Sequence, residues 1–203
     1  MVSSIKLSKP INGKPVFDGE YKPSNLDKIF DDIVLRKDEI YPPNTENYIK
    51  ADWEHYHDRI VLEKFPSLVF VVELVKDCLE SIDVDWSDYY FKSWINIWPK
   101  AQSIGIHNHN GDWHGNYVIN DTGTSTFYMD DETKEVREFK NYNGHFIMMD
   151  SDVKHWASHN PKNQFRVSTA FNLMKEEDLR DEERKVSIKM KKILDKYGQN
   201  VLY

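Results

Sequence analysis

The stretch IGIHNHNGDWHGNYV, residues 104–118, holds His107, His109 and His114, three of the chain's eight histidines inside eight positions. Imidazoles serve as metal ligands or as acid–base groups. Residues two apart on a strand share a face. His107 and His109, where SIGIH gives way to NGDW, therefore present two ring nitrogens on one side. Iron, zinc, copper and nickel all accept such a pair, with a further ligand from elsewhere. Two exposed loop histidines would give the same pattern. His114, just before Gly115, either faces a cavity or merely opens a strand. His55 and His57 repeat the spacing, but nothing downstream completes a site, so surface positions are expected there. His145, which opens the apolar run HFIMM after Gly144, is expected to be structural.

The stretch GHFIMMDSDVKHWASHNPKNQFRVSTAFN, residues 144–172, adds the missing chemistry. His155 follows the apolar strand HFIMM, and Arg166 lies eleven positions further on with Ser168 on the same strand face. An arginine inside a β core needs an anionic partner, because an unpaired buried guanidinium is very costly. A protein carboxylate would make this a structural salt bridge. Without one, a ligand carboxylate fits, held by a bidentate charge-assisted pair with Ser168 donating to the same group.

These residues must be positioned by a mainly β framework. FKSWINIW (91–98), SIGIH (103–107), GNYVIN (115–120), TSTFYM (124–129), EVREF (135–139), HFIMM (145–149) and FRVSTAFN (165–172) are short and rich in aromatic and β-branched residues. Turn residues separate them, the signature of a barrel or sandwich. Before them, Ser24 and Asn25 can cap a helix carrying Leu26, Ile29, Phe30, Ile33 and Val34 at helical spacing. It should end ahead of Tyr41-Pro42-Pro43. A second helix is expected from Pro66 to about Ser81. A third, from Glu176 to Tyr197, would bury Val186, Met190, Ile193, Leu194 and Tyr197 and stop at Gly198. Its charge-dense start, KEEDLRDEERK, reads as a solvated helical face. The expected fold is mainly β with flanking helices around a double-stranded β-helix, or jelly-roll, core. No repeat or linker splits the chain, so one domain over 1–203 is expected. Residues 1–90 would supply N-terminal helices and supporting strands, 91–173 the core with the site, and 174–203 a C-terminal helix.

Composition narrows the function classes. With 27 basic and 34 acidic residues the chain carries −7. This disfavours nucleic acid and anionic membranes, both of which need a positive field. Cys78 is the only cysteine, which excludes a disulfide framework and a multi-thiolate metal site. The N-terminal segment lacks the apolar run of a signal peptide, and LVFVV (68–72) is too short to span a bilayer. A cytoplasmic protein is expected.

Taken in order, the motifs resemble those of the 2-oxoglutarate- and Fe(II)-dependent oxygenases, particularly a branch found in bacteria and in tailed phages of marine cyanobacteria. The likeness is carried by Trp94-Ile95-Asn96, His107-Asn108-His109, His114-Gly115-Asn116-Tyr117, Gly144 to Ser151, His155, and Arg166-Val167-Ser168-Thr169-Ala170-Phe171-Asn172. It covers roughly residues 91–173. The resemblance implies Fe(II) held by His107, His109 and His155. It implies 2-oxoglutarate bound through Arg166, helped by Ser168 and Tyr117, with Asn96 steadying the cosubstrate or a ligand. Dioxygen would be the other co-reactant. The reaction would yield succinate, CO2 and an oxidised, typically hydroxylated, substrate, either a small molecule or a protein side chain. Loops 108–114 and 130–134 and the N-terminal region would choose that substrate, with Trp113 at the entrance.

The usual triad in such enzymes is two histidines and a carboxylate, yet position 109 is His. Asp112 is the alternative third ligand. Asp150 and Asp152, in MMDSDVKH, are expected to be turn residues. Two rival classes fit parts of the pattern. A cupin-type three-histidine enzyme would dispense with 2-oxoglutarate and leave Arg166 for another anion. A jelly-roll binding module would need no working site at all.

Overall fold

In the computed structural model, which describes residues 4–40 and 60–198, eleven strands form two antiparallel sheets. The strands are β1 (Lys6–Ile11), β2 (Lys14–Glu20), β3 (Tyr90–Trp98), β4 (Ile104–His107), β5 (Trp113–Asn120) and β6 (Ser125–Met129). Then follow β7 (Val136–Lys140), β8 (His145–Asp150), β9 (Lys154–Ala157), β10 (Arg166–Met174) and β11 (Ile188–Lys189). The larger sheet runs β1-β2-β8-β5-β10-β3-β11, and the smaller runs β4-β9-β6-β7. This is a jelly-roll core with helices on one side, as the spacing of short strands predicts. His55 and His57 lie outside the described residues.

Period-two alternation sorts the large sheet into two faces. Phe91, Ile95 and Ile97 of β3, Tyr117 and Ile119 of β5, Phe146 and Met148 of β8, and Val167, Phe171 and Leu173 of β10 join one apolar cluster. That cluster also holds Leu26, Ile29 and Ile33 of the helix Leu26–Leu35 and most of the helix Val69–Glu80, Cys78 included. The intervening residues point the other way, towards the small sheet. There Ile11, Val16, Tyr128, Ile147, Met149 and Val153 make a smaller core at one end. The rest of that inner face is polar. β10, covered on both sides, is buried at every position.

The supporting strands expected in residues 1–90 are present as a hairpin, and two other expectations need correction. The N-terminal pairing of β1 with β2 supplies one edge of the large sheet, turning through Asn12 (φ 51°) and Gly13 (φ 67°). An Asn-Gly pair between extended segments is a strong hairpin signal, and PINGKPV (10–16) carries one. Asn25 precedes the first helix, but its side chain makes no capping bond. The C-terminal segment is also not one helix. It forms a 3-10 turn (Glu176–Asp178) and a helix (Asp181–Val186), then the short β11 and a last helix (Met190–Tyr197). The break at Ser187 (ψ 153°) lets Ile188 pair with Phe91, closing an edge of β3 that would otherwise be open. No helix among the described residues is long and apolar enough to cross a membrane.

Candidate metal centre and anion pocket

His107 and His155 are direct cross-strand partners of β4 and β9. Their ring centroids are 4.3 Å apart. β9 is a strand that the sequence reading did not separate from its surroundings, and Tyr128 of β6 sits across from His155 on its other side. His109 comes from the loop after β4. Its backbone N–H donates to Ser151 O at 3.0 Å, and its ring centre lies 5.0 Å from those of both His107 and His155. One ligand nitrogen from each of the three rings falls within 4.8 Å of the others.

Their chemistry suits a metal. His107 Nδ1 lies 2.8 Å from Gly105 O and His155 Nδ1 3.0 Å from Val153 O. A carbonyl only accepts, so Nδ1 carries the proton in both rings and Nε2 keeps its lone pair. This is the arrangement that orients a ligating imidazole. Burial also holds both rings neutral, pushing the His107 pKa below its usual value and that of His155 well below it. Neutral, tautomer-fixed imidazoles in a divalent-cation site are a good fit.

Asp112 is engaged away from the three-histidine group. Its carboxylate accepts the Tyr89 hydroxyl at 2.7 Å, and its backbone joins Leu173 and Ser151. Asp152 is a turn residue, its N–H donating to Asp150 Oδ1 at 3.0 Å, whereas Asp150, also expected in the turn, ends β8 opposite Trp113 and pairs with Lys14 at 3.4 Å. His145 is structural at this level, 2.8 Å from Asp18 and stacked on Tyr142. His114 faces the cleft: it is 4% exposed, its Nδ1 is 3.1 Å from Asn172 Oδ1, and its ring stacks on His109. Burial lowers its pKa to about 3.

Arg166 opens β10 on the same inner face and is 2% exposed. Its Nε donates to Thr124 Oγ1 at 3.1 Å and one terminal nitrogen to Ser168 Oγ at 3.1 Å. The guanidinium lies 4.5 Å over the Trp98 ring. No carboxylate among the described residues closes an ion pair with it. Asp121 is near enough for its charge to favour the guanidinium without pairing with it, and it accepts the Thr124 hydroxyl at 2.6 Å. Burial accordingly pulls the Arg166 pKa down to about 10. A guanidinium has five N–H donors, so most of them remain for an anion.

Asn96 is the cross-strand partner of Ser168, and Trp94 that of Ala170. Both therefore line the same face, with Trp94 5.5 Å from His109. From Arg166 to Ala170, strand rise gives about 13 Å, room for a short dicarboxylate between guanidinium and histidines.

Two aromatic residues go elsewhere. Tyr117 pairs with Thr169, not with the Arg166 face, and its hydroxyl donates to Tyr21 O at 2.8 Å beneath Phe70. It packs under the helices, because an odd position on β5 points away from the cleft. Trp113 likewise packs on Phe17 in the helix-side core. Among the described residues the cleft tyrosine is Tyr128, buried, 5.4 Å from His155 and close enough to Arg166 to feel its charge. Thr124 and Asn141 are further cleft residues the sequence reading missed, linked at 2.9 Å. The alternation of Thr124, Thr126 and Tyr128 in TSTFYM was the available signal.

No protein-family model matches the sequence, and no curated protein does either. Solved structures do. The chain is similar to HygX from Streptomyces hygroscopicus, crystallised with nickel and 2-oxoglutarate bound, at 11% identity and TM-score 0.55, over 80% of this chain and 84% of that one. It is similar to a Pseudomonas putida prolyl-4-hydroxylase at 10% identity and TM-score 0.55, over 78% of this chain and 92% of that one. A match to a 2OG-Fe(II) oxygenase family oxidoreductase from Burkholderia pseudomallei, at 15% identity and TM-score 0.47, covers 55% of this chain. The chain spans only 57% of that protein's length. At such identities the likenesses to HygX and the prolyl-4-hydroxylase establish the fold alone.

Proposed function

We propose that the protein is a 2-oxoglutarate-dependent non-haem iron oxygenase whose ligands are His107, His109 and His155. The observation that carries this reading is the pairing, in one cleft, of three metal-competent imidazoles with a buried arginine that forms no ion pair with any carboxylate among the described residues. The nickel and 2-oxoglutarate bound by HygX, on a similar fold, support the same assignment. So does the motif order, which extends the likeness towards bacterial and phage enzymes. With iron and cosubstrate bound, the chemistry supplied is oxidative decarboxylation coupled to oxidation of a substrate C–H bond, here proposed as hydroxylation.

The chain's own residues divide the remaining work. Arg166 pairs with the far carboxylate of the cosubstrate, anchored by Thr124 and Ser168 so that its fork is set before binding. Trp98 covers the guanidinium and keeps water from it. Asn96, Ser168 and Tyr128 line the span between anion and metal. Three neutral imidazoles leave the centre about one unit more positive than two histidines and a carboxylate. The loop 108–112 and the turn 130–134, which docks on Asn12, form the rim where a substrate enters. The substrate is proposed only as a small molecule or side chain able to reach that rim.

Anaerobic titration of 2-oxoglutarate into the Fe(II)-loaded protein tests the proposal through the visible charge-transfer band of the chelate. The band is expected to saturate in wild type. Arg166→Ala should weaken 2-oxoglutarate binding by about 10- to 100-fold, the scale of a lost charge-assisted hydrogen-bonded pair. Asp112→Ala should leave it intact. Iron binding without a band would favour the cupin-type reading instead, and no iron binding would reject the enzyme.

A further inference from the structure

We infer that His114 is a positioning residue for this centre, a fourth imidazole that binds no metal itself but fixes the ring plane of His109. The inference rests on the proposed ligand set. The rings of His114 and His109 are parallel within 6° and 3.8 Å apart, the closest pairing in the cluster. His114 is itself clamped. β5 holds it between β8 and β10, and Asn172 opposite it on β10 takes its Nδ1 at 3.1 Å. The ligating group within 4.8 Å comprises His107, His109 and His155, and His114 is outside it.

The need for such a wall follows from the chemistry of position 109. A carboxylate offers lone pairs in several directions and is oriented by its charge. An imidazole offers one lone pair in the ring plane, so the plane must be set. His107 and His155 stand on paired strands, whereas His109 comes from a loop. A loop side chain keeps rotamer freedom unless packing removes it. A buried imidazole and a buried amide in the middle of the large sheet are expensive to desolvate, and an apolar pair would fill the space more cheaply. The structure accordingly assigns them to the departure from a carboxylate at 109.

Cobalt(II) titration of the metal-free protein, followed by its d–d absorption, reads this directly. His114→Ala should weaken cobalt binding by about 10- to 100-fold, as loss of a ligand's orienting partner does, and broaden the band. His114→Phe, which restores a flat ring, should recover most of the affinity. In a His109→Asp background, where no ring needs holding, His114→Ala should change affinity by less than about threefold. If His114→Ala fails to fold, Asn172→Ala releases the clamp and should give the same pattern in milder form. A wild-type spectrum and affinity in folded His114→Ala would overturn the assignment, as would an equal loss in the His109→Asp background. A loss as complete as that of His155→Ala would make His114 a ligand instead. Failure of the wild type to bind cobalt would reject the centre itself, and His114's role with it.

Discussion

At the scale of single residues, the cleft is defined by side chains held in their neutral or unpaired forms by burial. His107, His114 and His155 all have pKa values depressed below the ordinary 6.5, with desolvation the leading cause. Above pH 6.5 neither the folded nor the unfolded chain protonates them, so their contribution to stability is complete. As pH falls below that, the unfolded chain takes up protons that the folded one refuses. Stability is therefore lost from about pH 6.5 downwards, and for His114 the loss continues to about pH 3. The melting temperature of the metal-free protein should fall across this window, and His114→Phe should make the slope shallower. An unchanged slope would mean the imidazole is not buried as described.

At the scale of elements, the loop between β4 and β5 decides whether His109 reaches the strand-borne pair. Gly111 sits at φ +102°, and a Cβ there would meet Leu173 O at 2.4 Å. The chain passes that close to β10 because Asp112 N–H donates to Leu173 O. Gly111→Ala should lower the melting temperature and weaken metal binding, since both φ and the clash push the loop off β10. Gly105→Ala, only two positions before His107, meets nothing within 4 Å and should leave both unchanged. A nickel titration beside thermal melts of the two variants checks the pair.

Across the whole molecule, a buried ion pair joins β11 and the packing of Met190 and Ile193 in tying the C-terminal segment to the core. Lys92 of β3 and Glu183 of the helix Asp181–Val186 approach to 3.6 Å with side chains 8% and 6% exposed. Burial lowers the Lys92 pKa, against the pull of Glu183. Lys92→Met alone should cost about 3–5 kcal/mol, because it strands a buried carboxylate. Lys92→Met with Glu183→Leu should recover much of that, and urea melts of the two variants would show it. This pair makes one glutamate of the charged run KEEDLRDEERK a core residue rather than part of a solvated face.

Much was legible in the sequence because it depends on local period and order. Short alternating strands between amphipathic helices gave the mainly β fold. The spacing His107-x-His109 and the order His155, Arg166, Ser168 named the residues that the two sheets bring to one cleft. What the chain order could not reveal is which face each residue takes, and what meets it from a strand far away in sequence. Tyr117 and Tyr128 illustrate the limit. Both stand in aromatic strands near the motifs, but the pairing of β5 with β8 and β10 turns Tyr117 to the helices, while the pairing of β6 with β9 brings Tyr128 to His155. The broken C-terminal helix has the same origin, since an open edge on β3 outweighed a continuous helical pattern. Residue type and spacing determined the chemistry available to this protein. Strand register, set by hydrogen bonds between distant segments, decided which of those residues share a site.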